Sequence, residues 1–224
     1  MLRILKDIFS DTSISPLLGF KGGTAVYLFY HLPRFSVDLD FDLLDQGNKD
    51  HVFERVSNIL AQYGSIKDQD IKYGNLFFNL SYADKMEGAQ NIKIDISTRQ
   101  FGSRYELKEH IGISMNVMVK EDIVAHKMVA MYERGDTTNR DIFDVWFFLK
   151  NNFPVNEAII QTRTQLAYVD FLQKLIESVE GMGGRDMLSG LGELVDTEKE
   201  KGWVRTTLRT VVLFFLKLAH DNET

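Results

Sequence analysis

Three aspartates at alternate positions, Asp38, Asp40 and Asp42, share one side of a segment whose other side is Val37, Leu39, Phe41 and Leu43. Strict alternation predicts a strand with its apolar face against a core. Three carboxylates on the remaining face repel one another unless water screens them or a cation neutralises them, so the spacing suggests a divalent metal. Just upstream, the apolar run Pro16 to Phe20 leads into Gly22 and Gly23, followed at helical spacing by Ala25, Leu28, Phe29 and Leu32. A glycine pair opening a helix lets backbone amides approach a phosphate, and the positive end of the helix dipole favours that anion. A bare glycine pair is more often a turn or a helix C-cap. Here the carboxylate strand that follows sets a phosphate holder beside a metal holder within Phe20 to Leu44.

This order of Gly-Gly, helix and Asp-x-Asp resembles the opening signature of the nucleotidyltransferase fold, which includes DNA polymerase beta. More narrowly, KGGTA followed by PRFSVDLDFDLL is similar to the AbiEii and MenT family, nucleotidyltransferase toxins of bacterial abortive-infection and toxin–antitoxin pairs. The resemblance implies a nucleoside triphosphate substrate, Mg²⁺ or Mn²⁺ on Asp38 and Asp40, and nucleotide or phosphate contacts from Gly22, Gly23, Thr24, Arg34 and Ser36. It also implies transfer to the 3′ end of tRNA and a cognate antitoxin partner.

A third block belongs with these. In NIKIDISTR, Ile92, Ile94 and Ile96 face one way while Lys93, Asp95 and Ser97 face the other. Nucleotidyl transfer uses a third carboxylate on a neighbouring strand, to take a proton from the attacking hydroxyl or complete the metal shell. Asp95 fits that role, catalytic and metal-binding; taken alone the block reads more readily as a solvated residue on a two-faced strand, and it is the preceding KGGTA and SVDLD that favour the catalytic role. Farther on, Lys127 shares a helix face with Ile123, Ala130 and Met131. A lysine in an apolar stripe usually snorkels, but the family carries a lysine here that points into the active cleft and balances triphosphate charge. NRDIFDVWFFL resembles the family's closing Arg-Asp-x-x-Asp motif, on Arg140, Asp141 and Asp144. Asp144 is the carboxylate expected to reach Lys127 or the site; the alternative is a structural ion-pair cluster.

The elements that must position these residues follow from periodicity. Helices are expected over Leu2 to Phe9 and Lys49 to Tyr63, and strands over Ser65 to Tyr73, Leu76 to Tyr82, Ile92 to Thr98 and Ile113 to Val119, with ADKMEGAQ as a hairpin loop. Helical patterns dominate from Glu121 onward: one runs from Pro154 to about Val179, GMGGRD is a break, and the last spans about Thr197 to His220. That last helix carries Lys199, Lys201, Arg205, Arg209 and Lys217, a solvated face or a basic surface for an RNA backbone. The fold expected is α/β (α+β): a mixed nucleotidyltransferase sheet with helices over 1–119, then a helical bundle over 120–224 that closes the cleft.

Composition narrows the function further. With 26 Lys and Arg against 32 Asp and Glu, the formal charge is −6, which argues against indiscriminate coating of nucleic acid. The absence of cysteine excludes disulfides and thiolate chemistry and fits a reducing cytoplasm. No secretory signal or membrane-length apolar run is evident. Two rivals to tRNA transfer stay open: nucleotidyl transfer to a protein or small molecule, and a non-catalytic member that binds nucleotide or a partner.

Overall fold

The computed structural model describes residues 1–84, 88–134, 139–182, 186–191, 195 and 197–223. The tip of the expected hairpin at 85–87 and the centre of GMGGRD at 183–185 lie outside the described residues. The chain divides into two compact units, Met1–His31 with Ser36–Val119, and Leu32–Phe35 with Lys120–Thr224.

The first unit contains α1 (Leu2–Ser10), β1 (Leu18–Lys21), α2 (Gly22–Tyr30), β2 (Leu39–Leu43), α3 (Lys49–Leu60), β3 (Ser65–Lys72), β4 (Asn75–Asp84), β5 (Gly88–Ser97), β6 (Tyr105–His110) and β7 (Ile113–Met118). Its strands form one seven-stranded mixed sheet in the order β3-β4-β5-β2-β1-β7-β6. The pairs β2/β5 and β1/β7 are parallel and the others antiparallel. Phe20, Leu39, Phe41, Ile94 and Ile96 are fully buried, and the rings of Phe20 and Phe41 lie 5.4 Å apart. Ile4, Leu5, Ile8 and Phe9 of α1 and Val52 and Val56 of α3 join this core. Burying those side chains is what holds two short helices against the sheet, since neither is long enough to persist alone.

Two expectations fail here for physical reasons. Val37 is not on the core face: it is 37% exposed and precedes β2, which begins at Leu39. A single β-branched residue extends an alternation on paper without a partner strand to bury it. Conversely, β6 is a strand the periodicity missed. YELKEH is an edge strand with Leu107 72% exposed, so its charges face water and no apolar alternation marks it.

The second unit holds α4 (Lys120–Glu133), α5 (Asn139–Lys150), α6 (Glu157–Thr164), α7 (Tyr168–Glu180), α8 (Glu198–Thr206) and α9 (Leu208–Glu223). Ile123, Met128, Met131, Ile142, Val145 and Phe148 are buried in it. The segment Leu32–Phe35 also groups with these helices rather than with residues 1–119. The helix expected from Pro154 to Val179 is two, because Gln165 adopts a left-handed conformation (φ 61°) that ends α6. The expected final helix is also two: α8 opens with a capping box between Thr197 and Glu200, and the chain bends at Thr207. No proline or glycine marks either break, so neither is legible locally.

Candidate active site

Strand register assembles the first group of residues. Lys21 of β1 pairs with Asp40 of β2, and Asp40 pairs with Asp95 of β5. Register partners on neighbouring strands point to the same face, so Lys21, Asp40 and Asp95 form a row across three strands. Asn75 of β4 donates to Asp95 Oδ2 at 2.6 Å, fixing that carboxylate. Asp38 lies two residues before Asp40, ahead of the strand, and is half-exposed. Among the described residues no three carboxylate or imidazole groups close around a cation. The expected three-aspartate metal set of Asp38, Asp40 and Asp95 is therefore not preassembled.

Asp42 projects from the same face as Asp40 but is not left exposed there. It is 7% exposed, ion-paired to Lys21 Nζ at 2.6 Å, and accepts from the Tyr105 hydroxyl at 2.5 Å. The repulsion inferred from three carboxylates is thus relieved at Asp42 by a lysine. What remains for a cation is the Asp38 and Asp40 pair. Hard carboxylate oxygens from an Asp-x-Asp suit Mg²⁺, which takes one or two carboxylates together with substrate phosphates.

Gly22 stands directly over Asp40. Gly22 opens α2 at φ 77°, and a Cβ built on it would lie 2.1 Å from Asp40 Oδ2. The start of α2 therefore sits against the Asp40 carboxylate, with no side chain between. Gly22→Ala is expected to cost about 1–2 kcal/mol from the left-handed conformation and to displace Asp40. Denaturant unfolding and nucleotide transfer measured together check this; a neutral substitution on both counts rejects the close approach as a requirement.

Two residues assigned to phosphate do other work. Thr24 is fully buried and its hydroxyl donates to the Asp38 carbonyl at 2.5 Å, tying α2 to the segment entering β2. Arg34 is 4% exposed and grips Asp144 with both edges of its fork, Nε to Oδ1 at 2.6 Å and an Nη to Oδ2 at 2.7 Å, while the other Nη donates to the Phe35 carbonyl. A guanidinium so engaged is a structural clasp. It also explains why Leu32–Phe35 groups with the helices. Gly23 and Ser36, the other residues expected at the phosphate, are both buried.

In the helical unit, Lys127 Nζ lies 2.8 Å from Asp144 and 3.4 Å from Asp141, and Arg134 reaches Asp141 at 2.8 Å. Asp144 is fully buried and Asp141 nearly so, while Arg140 is exposed. Burial pushes the Asp144 carboxyl up, but Lys127 and Arg34 outweigh it and hold it below the ordinary aspartate value. Burial likewise opposes the charge on Lys127, and Asp144 and Asp141 outweigh it, raising the ammonium. The sign follows for each. Asp144 contributes stability present above its unfolded value, about 3.9, and lost as pH falls toward its lower folded value. Lys127 contributes stability present below about pH 10.4 and lost as pH rises through its raised folded value. Between about pH 5 and 3, Asp144→Asn is expected to lose stability less steeply than the parent in urea unfolding; parallel slopes would reject the assignment.

The basic face expected of the last helix is largely spent internally. Arg209 donates to the carbonyls of Val179 and Glu180, Lys217 pairs with Glu180, and Lys201 with Glu198. Three of those five cations are thereby engaged. Lys21, Asn75 and Tyr105 are the site-side residues that the periodicity did not single out. Lys21 had a signal, since it directly precedes the glycine pair; Asn75 and Tyr105 are brought in only by strand order.

The family profile described as "Nucleotidyl transferase AbiEii toxin, Type IV TA system" matches residues 3–201. No curated protein matches the chain. Among solved structures, a Helicobacter pylori protein provisionally assigned as a nucleotidyltransferase aligns with a TM-score of 0.61 at 23% identity, over 99% of this chain and 93% of that one. MenT4, a nucleotidyltransferase toxin from Mycobacterium tuberculosis H37Rv, aligns with a TM-score of 0.58 at 19% identity, over 99% and 85%. These likenesses show a shared nucleotidyltransferase-type fold. No helix among the described residues is long and apolar enough to cross a membrane. With the profile spanning both the carboxylate strands and the Lys127–Asp144 helices, the chain belongs to the AbiEii family of toxin–antitoxin nucleotidyltransferases.

Proposed function

We propose that this protein transfers a nucleoside monophosphate from a nucleoside triphosphate to the 3′ hydroxyl of RNA, with tRNA as the acceptor that blocks translation. The observation carrying the reading is the Asp40–Asp95 register beside Gly22, whose missing side chain lets the start of α2 come directly against Asp40.

In this reading the amides opening α2, at Gly22 and Gly23, bind the phosphate tail at the positive end of the helix. Asp38 and Asp40 are the residues that would hold Mg²⁺ or Mn²⁺, which when bound draws off the charge of the triphosphate. Asp95, oriented by Asn75, accepts the proton of the acceptor hydroxyl. The acceptor oxygen bonds to the α-phosphorus, the bond to the bridging oxygen breaks, and pyrophosphate leaves with that electron pair. Lys127 and Asp144 are retained as the helical unit's contribution to nucleotide use, on the family resemblance.

The test is incubation with each α-labelled nucleoside triphosphate, Mg²⁺ and total cellular RNA. Label is expected in the tRNA fraction at the 3′ end. Label in protein or in a small molecule would replace the acceptor; no label with any of the four triphosphates and either metal would reject the enzymatic reading of this site.

A further inference from the structure

Beside the carboxylate row lies a cavity of about 190 Å³, lined by Asp42, Arg99, Gln100, Phe101, Ser103 and Tyr105 among others. We infer that this cavity, together with Arg99 and the Tyr73 ring, is the subsite for a single-stranded nucleic-acid acceptor end. The inference rests on the nucleotidyl-transfer reading and names where its acceptor binds.

Register places the cavity. Gly19 pairs with Asp42 and Lys21 with Asp40, so the chain passing from Gly19 to Gly22 moves along β2 from Asp42 toward and past Asp40. The phosphate-holding glycines lie at one end of this line and the cavity at the other. Asp42 and Asp40 are one same-face step apart, about 7 Å along the strand. Displacement at phosphorus places the attacking and leaving oxygens roughly in line. With pyrophosphate departing on the glycine side, the attacking hydroxyl arrives from the cavity side, past Asp95.

The chemistry of the lining matches a polynucleotide strand. Asp42 at its floor is neutralised by Lys21, so the floor presents no net anion to a phosphodiester. The loop 98–104, TRQFGSR, carries two arginines and no acid in a chain of charge −6. Arg99 has no acidic partner among the described residues, and its aliphatic stem lies against Gly74, 3.5 Å from where a Cβ would stand. Next to Gly74, the Tyr73 ring is fully exposed, packing on nothing that would explain an aromatic there. Aromatic faces flanking a guanidinium along a groove are how sequence-tolerant single-strand sites are built. The basic face of the last helices, mostly engaged internally, offers no comparable path.

The test measures binding and transfer separately. A fluorescein-labelled single-stranded RNA with a free 3′ hydroxyl is titrated with the full chain in EDTA, without nucleotide, over a range of salt. Arg99→Ala is expected to weaken binding about tenfold at low salt and to lower the salt slope by about one. Tyr73→Ala, which removes no packed side chain, is expected to weaken it at least about fivefold with the slope unchanged. Lys67→Ala, an exposed charge at the other end of β3, is expected to change neither. In the transfer assay both site variants raise KM for RNA and leave KM for the triphosphate unchanged. Parental RNA affinity in both Arg99→Ala and Tyr73→Ala overturns the subsite, as does an equal loss in Lys67→Ala. Arg99-dependent binding without transfer in the parent would keep the subsite and reject the reaction.

Discussion

Asp40→Asn is expected to abolish nucleotide transfer, by at least about a thousandfold, while leaving the unfolding midpoint within a few degrees of the parent. Asp40 is the residue on which the site's features meet: Gly22 stands over it, Lys21 faces it from β1, and Asp95 lies beside it on β5. Replacing the carboxylate by its neutral isostere keeps the shape of that junction and removes the charge that, in the proposed reaction, would hold the metal ion. The fold loses little, because the side chain is half-exposed and the change removes a like charge from beside Asp95. Transfer activity and growth arrest on expression, read alongside thermal unfolding, make the check. Activity within tenfold of the parent in a folded Asp40→Asn protein would remove Asp40 from the chemistry.

Asp144→Ala is expected to be the most destabilising single change at the charged cluster, costing about 3–5 kcal/mol. The reason is what it strands. Arg34, with 3% of its side chain exposed, loses both halves of its fork, and Lys127 loses its nearer carboxylate. A buried guanidinium without a partner carries its full desolvation cost. Lys127→Ala is milder in stability, since Asp144 keeps Arg34 and Asp141 keeps Arg134. That difference separates scaffold from activity. At a temperature where Lys127→Ala is fully folded, nucleotide use is expected to fall strongly, with Lys127→Arg a poor rescue because a planar fork does not replace a compact ammonium. Parental turnover in folded Lys127→Ala would leave the cluster a purely structural brace. Urea unfolding of both variants beside the transfer assay reads the two effects independently.

The sequence by itself determined the outline of the carboxylate strands. Leu39, Phe41, Ile94 and Ile96 alternate with aspartates, and an alternation with one apolar face can be buried only one way, so Asp40 and Asp95 had to project from the other. The glycine pair was equally legible in the sequence, and at Gly22 the structure gives the reason for it: φ is 77° and any Cβ would clash with the Asp40 carboxylate. Tertiary structure alone decided which charges are spoken for. Asp42 looks in the sequence like a third member of Asp-x-Asp-x-Asp, yet the pairing of β1 with β2 and the reach of Tyr105 from β6 turn it into Lys21's partner. Arg34 and Thr24 sit within a nucleotidyltransferase-like motif, but one closes on a carboxylate 110 residues away and the other on the chain entering β2. Local spacing carries burial and periodicity. The partner of a buried charge is set by which distant element lies against it, and that is information only the folded chain contains.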